Sequence, residues 1–250
     1  MKIITGFIAA NLLFTLCLSA QTGYDRNKLI AFYQDQDYGR AVEYLLPFAS
    51  TAGDPVQYHN DLGYSYFMNE QPEEALRSFM TVYQLQPSNA LANLYAAQIW
   101  AGRKETDSTL FYYKNLLIYQ PSNYRFWQRA GQVFFTKGNY DSAKRYYQQG
   151  YQLNPRSSSL VVQYIDVLLR FRDLKKADTI LQRFLAVDST NREVIAKRID
   201  LSFRQDKYAN VIHWGERLWK DSADVSAPYI QLAFSYLTVD SLDKCITLCE

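Results

Sequence analysis

This 250-residue sequence predicts an all-α fold built from repeated helical hairpins. The first observation is a four-residue motif, Gln-Pro-Ser-Asn, which occupies residues 86–89 and recurs 34 residues later at 120–123. The second is the spacing of apolar residues around these motifs, which follows the period of an amphipathic α-helix. The third is composition: 48% hydrophobic and 21% charged residues are typical of a folded chain and exclude a disordered or Gly/Pro-rich polymer.

The first twenty residues have the order of a secretory signal peptide. Lys2 precedes an apolar run at 7–18, and two small residues then predict cleavage after Ala20. The run is about 12 residues long, well short of the roughly 20 that a membrane-spanning helix needs. A lipoprotein signal at Cys17 is disfavoured because a large residue precedes it. Residues 1–20 resemble a bacterial export signal, so we expect an exported protein, periplasmic or outer-membrane-associated in a Gram-negative bacterium.

The 34-residue period continues without insertion over residues 22–250, with repeats starting at 22, 56, 90, 124, 158, 192 and 226. Positions 4, 7, 8 and 11 of a repeat share one helical face, and positions 20, 24 and 27 share another. Each repeat is therefore predicted to be two helices joined by a short turn. Small residues at positions 8 and 20 let these helices approach, and large residues at 11 and 24 are expected to fill the space to the next repeat.

Proline and glycine mark where the predicted helices begin and end. Pro72, followed by two glutamates, suits the first turn of a helix. Gly138 suits the left-handed residue that ends one. Because proline cannot continue a helix interior, Pro87, Pro121 and Pro155 predict boundaries between repeats.

These columns of small and large residues resemble the tetratricopeptide repeat family. The family pattern places Trp, Leu, Gly, Tyr, Ala, Phe, Ala and Pro at positions 4, 7, 8, 11, 20, 24, 27 and 32. The resemblance implies a right-handed superhelical solenoid of about seven helix-turn-helix repeats that acts as a binding scaffold. Two repeats, residues 56–89 and 124–157, carry most of the matches: Leu62, Gly63, Tyr66, Ala75, Phe79 and Pro87, then Trp127, Gly131, Phe134, Ala143, Tyr147 and Pro155.

The later repeats depart from the family pattern. Ile165 and Ile199 replace the small residue at position 8, and Gly215 replaces the aromatic residue at position 24. In the sixth repeat, Ile199 is larger than the usual residue and Gly215 is smaller. We expect these two changes to compensate in volume. The seventh repeat stops at Glu250, its twenty-fifth position. We expect either a fragment of a longer protein or an exposed edge for self-association.

Residues typical of catalysis or metal binding do not form a recognisable motif. The chain has two histidines, His59 and His213, and neither has ligand-type residues at a suitable spacing. Asp61, Asp166 and Asp200 are isolated carboxylates, and no phosphate loop, nucleophile triad or HExxH-type motif is present. We therefore expect a protein that is not an enzyme and that uses no metal or cofactor.

Charge and cysteine content exclude further classes of function. The net charge of +2 gives no electrostatic case for nucleic acid, which favours clustered basic charge. Cys245 and Cys249 lie four residues apart on one predicted helix face, where a disulfide would be strained. The 21 tyrosines are expected mainly in the core and in the seams between helices.

The family resemblance implies a peptide-binding groove. In the family, positions 2, 5, 9, 12 and 13 of the first helices line a concave surface. Aromatic side chains among Arg, Asp, Asn and Gln suit a peptide held by buried rings and side-chain hydrogen bonds. Carried onto this sequence, the groove residues are Asn60, Tyr64, Phe67, Leu94, Gln98, Arg125, Gln128, Gln132, Phe135, Val162, Asp166, Arg170, Glu193, Asp200, Phe203, Arg204, Ile230 and Phe234.

The expected function is therefore a non-catalytic scaffold or adaptor that binds a protein or peptide segment, with no small-molecule substrate evident. Two alternatives stay open. In the first, the chain is a structural subunit of a cell-envelope assembly and binds through its convex or end surfaces. In the second, it is the repeat region of a longer regulator or enzyme that continues past residue 250.

Overall fold

A computed structural model of the chain describes residues 23–220 and 226–249. The predicted signal peptide, residues 1–20, lies outside this range. Within it the chain forms α-helices and one short 3-10 helix, and no β-strand occurs among the described residues. The predicted all-α class is confirmed.

The chain divides into two compact units, with the division between Tyr119 and Gln120. In each unit the helices alternate between a first and a second helix of a hairpin. The first unit contains α1 Arg26–Gln34, α2 Tyr38–Leu45, α3 Pro55–Met68, α4 Pro72–Leu85, α5 Ala90–Gly102 and α6 Thr106–Tyr119. The second unit contains α7 Tyr124–Thr136, α8 Tyr140–Leu153, α9 Ser158–Arg170, α10 Leu174–Leu185, α11 Arg192–Arg204, α12 Tyr208–Lys220, α13 Ser226–Thr238 and α14 Leu242–Cys249.

The turn inside every hairpin contains one residue in the left-handed region. Gly138 has φ +77°, as its sequence context predicts. At the other turns a residue with a side chain adopts the same conformation, which costs about 1–2 kcal/mol relative to right-handed backbone. The left-handed turn residues, spaced 34 apart, are Gln36, Glu70, Lys104, Gly138, Arg172, Asp206 and Asp240.

The recurring Gln-Pro-Ser-Asn motif has a local structural cause. Its asparagine caps the next first helix: Asn89 Oδ1 accepts a hydrogen bond from the backbone N–H of Ala92 at 3.0 Å, and Asn123 Oδ1 accepts one from Arg125 at 3.1 Å. Such a cap satisfies a backbone donor that the helix cannot pair internally. The motif therefore ends one hairpin and begins the next. Pro72 lies in the first turn of α4, as predicted.

Each of two hairpins closes over a glycine. A Cβ added to Gly63 of α3 would lie 2.8 Å from the ring of Phe79 in α4, and one added to Gly131 of α7 would lie 2.8 Å from the ring of Tyr147 in α8. From the sequence, Phe79 and Tyr147 were predicted to fill the space between one repeat and the next. The structure also packs them inside their own hairpin, because the missing Cβ leaves room for a ring.

Phe79 fills the space to the next hairpin as well. Its ring stacks on Tyr95 of α5 with a centroid distance of 5.3 Å and an interplanar angle of 9°. In the sixth repeat the sizes are exchanged: Ile199 is fully buried, and the open side of Gly215 faces Leu232 of α13 at 2.9 Å. The 2.9 Å separates Leu232 Cδ1 from a Cβ built on Gly215, so a side chain from the following hairpin occupies the volume that an aromatic residue fills elsewhere.

Candidate protein-binding surface

The groove residues predicted from the sequence lie on the first helices, and they differ widely in exposure. Asn60 is buried, with 8% exposure, and its Oδ1 has no hydrogen-bond partner among the described residues. Its burial sets it apart from the accessible members of the set. Gln98, Arg125, Arg170 and Arg204 are exposed, and Tyr64, Phe67, Leu94, Gln128, Gln132, Phe135, Asp166, Asp200 and Phe203 are half-buried.

Five half-buried rings form a continuous group on the first unit, which we call the aromatic cluster: Tyr33, Tyr38, Tyr64, Phe67 and Tyr95. Tyr64 lies at its centre, with ring centroids 5.1 Å from Tyr33, 6.2 Å from Tyr38 and 5.7 Å from Tyr95. Phe67 lies 4.8 Å from Tyr95. The Tyr64 contacts are edge-to-face, an arrangement that aromatic pairs favour.

Hydrogen bonds hold one edge of the aromatic cluster in place. The Tyr33 hydroxyl lies 3.0 Å from Ser65 Oγ and donates to the backbone carbonyl of Asp61 at 3.1 Å. Burial raises the pKa of Tyr33, so the hydroxyl stays protonated and keeps donating. Three residues of the aromatic cluster, Tyr33, Tyr38 and Tyr95, were not among the groove residues predicted from the sequence. Tyr33 shares its repeat position with Phe67 and follows from the same column, whereas Tyr38 and Tyr95 lie outside the five groove positions.

Asp61, treated from the sequence as an isolated carboxylate, is the centre of a network in the first unit. Its carboxylate accepts hydrogen bonds from the Tyr24 hydroxyl at 2.5 Å, Arg26 Nε at 3.1 Å and Gln57 Nε2 at 2.9 Å. Burial and the bond to Asp61 raise the pKa of Tyr24. Because three donors converge on this carboxylate, the network ties the residues around the start of α1 to α3.

The second unit presents a polar row on the corresponding helices, the glutamine ladder: Gln128, Gln132, Gln163 and their partners Ser159 and Tyr147. Gln128 Nε2 donates to Ser159 Oγ and to Gln163 Oε1, both at 2.9 Å. Gln163 Nε2 donates to Gln132 Oε1 at 2.9 Å, and the Tyr147 hydroxyl donates to the same oxygen at 3.1 Å. These side chains largely satisfy one another.

Four charged groove residues of the second unit, Asp166, Arg170, Asp200 and Arg204, have internal partners. Asp166 forms an ion pair with Lys197 of α11. Asp200 pairs with Arg204 at 3.0 Å and accepts a bond from Gln231 at 3.4 Å. The Arg170 guanidinium lies 4.1 Å from the ring centroid of Tyr140, in the range of a cation–π contact.

Two small aromatic groups also occur on the first helices of the second unit. Phe135 lies 5.3 Å from Tyr140. Phe203 lies 5.5 Å from Phe234 and 6.2 Å from Tyr208. Each joins a first-helix residue to the start of a second helix, so the ring contacts reinforce the hairpin as well as the surface.

No group of three His, Cys, Asp or Glu side chains that could hold a metal ion occurs in the part of the chain that is described. Burial lowers the pKa of His59, and its ring lies 5.0 Å from Tyr58. Within residues 23–220 and 226–249, the helices are too short or too polar to span a bilayer.

A stack of helical hairpins with an aromatic surface defines the class of this molecule as an α-helical repeat protein. The model of the tetratricopeptide repeat family matches residues 124–157, which contain α7 and α8. No curated protein has a sequence significantly similar to that of this chain.

Solved structures of tetratricopeptide repeat proteins share the fold. A tetratricopeptide repeat protein from Parabacteroides merdae is similar with a TM-score of 0.63 and 18% identity, over 89% of this chain and 88% of its own. PilF of Pseudomonas aeruginosa gives 0.62 and 16%, over 78% and 88% of the two chains. YrrB, described as a tetratricopeptide repeat protein with an unusual peptide-binding site, gives 0.58 and 15%, over 68% and 88%.

The family-model match over one hairpin and the folds of these structures support a tetratricopeptide repeat architecture for this chain.

Proposed function

We propose that this chain is a non-catalytic scaffold that binds an extended peptide or protein segment on the first-helix face of its first unit. The observation that carries the proposal is the aromatic cluster of the first unit. Its half-buried rings offer a large apolar area whose conformation is already fixed, so binding orders few side chains. Aromatic side chains in such a setting are the residues that most often dominate binding energy.

The first helices of the second unit offer less to a bound segment. The glutamine ladder and the ion pairs there are internally satisfied, so a segment gains little by competing for them. Arg204 is paired with Asp200 and Arg170 lies over the Tyr140 ring, so these two exposed cations are engaged as well. The peptide-binding site named for YrrB supports peptide recognition by this fold.

The test is site-specific photo-crosslinking in extracts of the source cells. A photo-reactive amino acid replaces Gln98, which is exposed on α5, and captures whatever lies on the first-helix face of the first unit. The test variant carries Tyr64→Ala and Phe67→Ala. The matched control is Phe111→Ala, a ring that is 51% exposed on the second helix α6 of the same unit. A second variant, Gln98→Arg without the photo-reactive group, adds bulk and charge with no loss of ring packing.

We expect the parent and Phe111→Ala to bind the captured partner equally and the double variant to bind it at least about tenfold more weakly. Melting curves establish that all variants are folded, and Gln98→Arg, whose packing is unaltered, covers the case in which the double variant unfolds. If the Tyr64→Ala/Phe67→Ala variant and Gln98→Arg both bind as the parent does, the site lies away from the first helices and the proposal is contradicted.

We also propose that the protein is exported and that residues 1–20 are removed. The support is the order of charge, apolar run and small residues in that segment. Cell fractionation followed by N-terminal sequencing is the test, with the periplasmic or outer-membrane fraction expected to yield a chain that begins at Gln21. A chain that keeps Met1 and stays in the cytoplasm contradicts export.

A further inference from the structure

A trough lies on the second-helix side of the second unit, between α8 and α10. It consists of two open pockets with volumes of about 520 and 460 Å³. Tyr151, Gln152 and Arg183 line both pockets, so the two form one continuous depression. All groove residues predicted from the sequence lie on first helices, and the trough is therefore a separate surface.

The trough has an apolar floor at one end. Phe184 is buried there with 8% exposure, Tyr151 is half-buried, and Pro155 adds an apolar ring. Val187 stands at the rim with 68% of its surface exposed. A pocket of this size accepts one or two apolar side chains of a ligand.

The acidic side chains of the trough are already engaged. Asp173 forms an ion pair with Lys144 at 3.5 Å, and its Oδ1 caps α10 by accepting from the backbone N–H of Lys176 at 3.3 Å. Asp188 Oδ1 accepts from the backbone N–H of Thr190 at 3.1 Å and from its hydroxyl at 3.0 Å. Among the described residues, neither carboxylate forms an ion pair with a basic side chain that lines the trough.

Three basic side chains of the trough are exposed and have no anionic partner in the described parts of the chain: Arg156, Lys175 and Arg183. Lys176 donates to Gln148 Oε1 at 3.1 Å and lies 5.5 Å from the Tyr164 ring centroid, so it also remains without a counter-charge. The charge available to a ligand is therefore positive around an apolar floor.

We propose that this trough is a second docking site, which binds an acidic peptide segment carrying a large apolar side chain. The apolar side chain occupies the pocket floored by Phe184, and flanking carboxylates pair with Arg183 on one side and Lys175 on the other. Charge complementarity identifies the occupant as anionic. The elongated shape and the exposed amide of Gln152 favour a peptide, whose backbone can hydrogen-bond along the trough.

The experiment uses a fluorescein-labelled, acetylated peptide, Glu-Asp-Glu-Phe-Leu-Glu-Asp-Glu, titrated with the mature protein and followed by fluorescence anisotropy. Two control peptides separate the contributions of charge and of the apolar side chains. One replaces every acid by its amide, and the other replaces Phe-Leu by Ser-Ser. Anionic lipid vesicles, phosphatidylglycerol mixed with phosphatidylcholine, are tested in parallel by sedimentation.

The trough variants are Lys175→Glu with Arg183→Glu, and separately Val187→Asp. Both alter exposed side chains, so the fold is retained. Lys207→Glu is the matched control, because Lys207 is an exposed lysine elsewhere in the same unit. We expect the acidic peptide to bind at least about tenfold more weakly to either trough variant and unchanged to Lys207→Glu. We expect each control peptide to bind the parent protein at least about tenfold more weakly than the acidic peptide does.

Three outcomes overturn the proposal. The first is failure of the acidic peptide to bind the parent protein. The second is equal loss of binding in Lys207→Glu and in the trough variants, which indicates attraction by overall charge. The third is sedimentation with anionic vesicles that depends on Lys175 and Arg183 while the peptide does not bind, which identifies a lipid surface as the occupant.

Discussion

The two units share their internal packing but differ in the surface of their first helices. In each, a glycine of the first helix receives an aromatic ring from the second: Phe79 over Gly63 in one and Tyr147 over Gly131 in the other. On the surface, however, the first unit has the aromatic cluster and the second has the glutamine ladder. The repeat pattern thus constrains the inside of a hairpin, while the surface positions of the first helices differ between the two units.

The largest expected effect tests the shared part of this comparison. Gly63→Leu and Gly131→Leu should each destabilise the protein by about 3 kcal/mol, because the new side chain meets a ring that is fully buried and cannot move aside. Phe79 and Tyr147 are 0% and 1% exposed. Urea unfolding followed by circular dichroism measures both.

The control for these variants is Gly102→Ala. Apart from its chain neighbours and the nearby backbone of its own helix, no heavy atom lies within 4 Å of a Cβ built on Gly102, so the helix gains up to about 1 kcal/mol from the better propensity of alanine. Parent-like unfolding of Gly131→Leu would show that α7 and α8 do not pack as described.

A buried carboxylate distinguishes the first unit from the second. Asp61→Asn should cost about 2 kcal/mol, because it weakens three hydrogen bonds to a carboxylate whose side chain is 10% exposed. Asp166→Asn in the second unit should cost less than about 1 kcal/mol, since that side chain is 38% exposed and its ion pair is accessible to water. Urea midpoints of the two variants test the ranking, and equal losses contradict it.

A reciprocal exchange tests the two surfaces directly. Tyr95 and Gln163 occupy the same position of their repeats. Tyr95→Gln should cost about 1.5 kcal/mol through lost contacts with Tyr64, Phe67 and Phe79. Gln163→Tyr should cost about 1 kcal/mol through two lost hydrogen bonds. Thermal melts give the values, and if either substitution stabilises the protein, its surface group contributes no stability.

The sequence predicted the hairpins well because close packing restricts residue size at a few columns. Gly131 and Tyr147 were identified from these columns and from their match to the family pattern. The surface was predicted less well. The repeat period shows which side of a helix a residue occupies, but it does not show what a neighbouring hairpin covers, so Asn60 was expected in the groove and is buried. Tyr38 and Tyr95 were missed because they reach the cluster from positions outside the family's groove columns.

In most repeats, the sequence also did not predict which turn residue adopts the left-handed conformation. Gly138 carries the strongest signal, because glycine adopts positive φ without steric cost, and Asp206 and Asp240 carry a weaker one, because aspartate is enriched in this region. Lys104 and Arg172 adopt φ +61° and +54° with full side chains. Their conformation follows from closing the hairpin, a constraint imposed by helix–helix packing that no local residue preference reveals.

These turns give the smallest effect and a last test of how alike the two units are. Lys104→Gly in the first unit and Arg172→Gly in the second should each stabilise the protein by up to about 1 kcal/mol, because glycine removes the steric cost of the left-handed backbone. Part of this gain is offset by the larger entropy that glycine gives the unfolded chain. Gly138→Ala should lower the stability of the protein by a similar amount, because its surroundings are open and only the backbone conformation opposes the methyl group. Urea midpoints of the three variants test whether one backbone geometry closes the hairpins of both units; stabilisation in only one of the two glycine variants would restrict that geometry to the unit concerned.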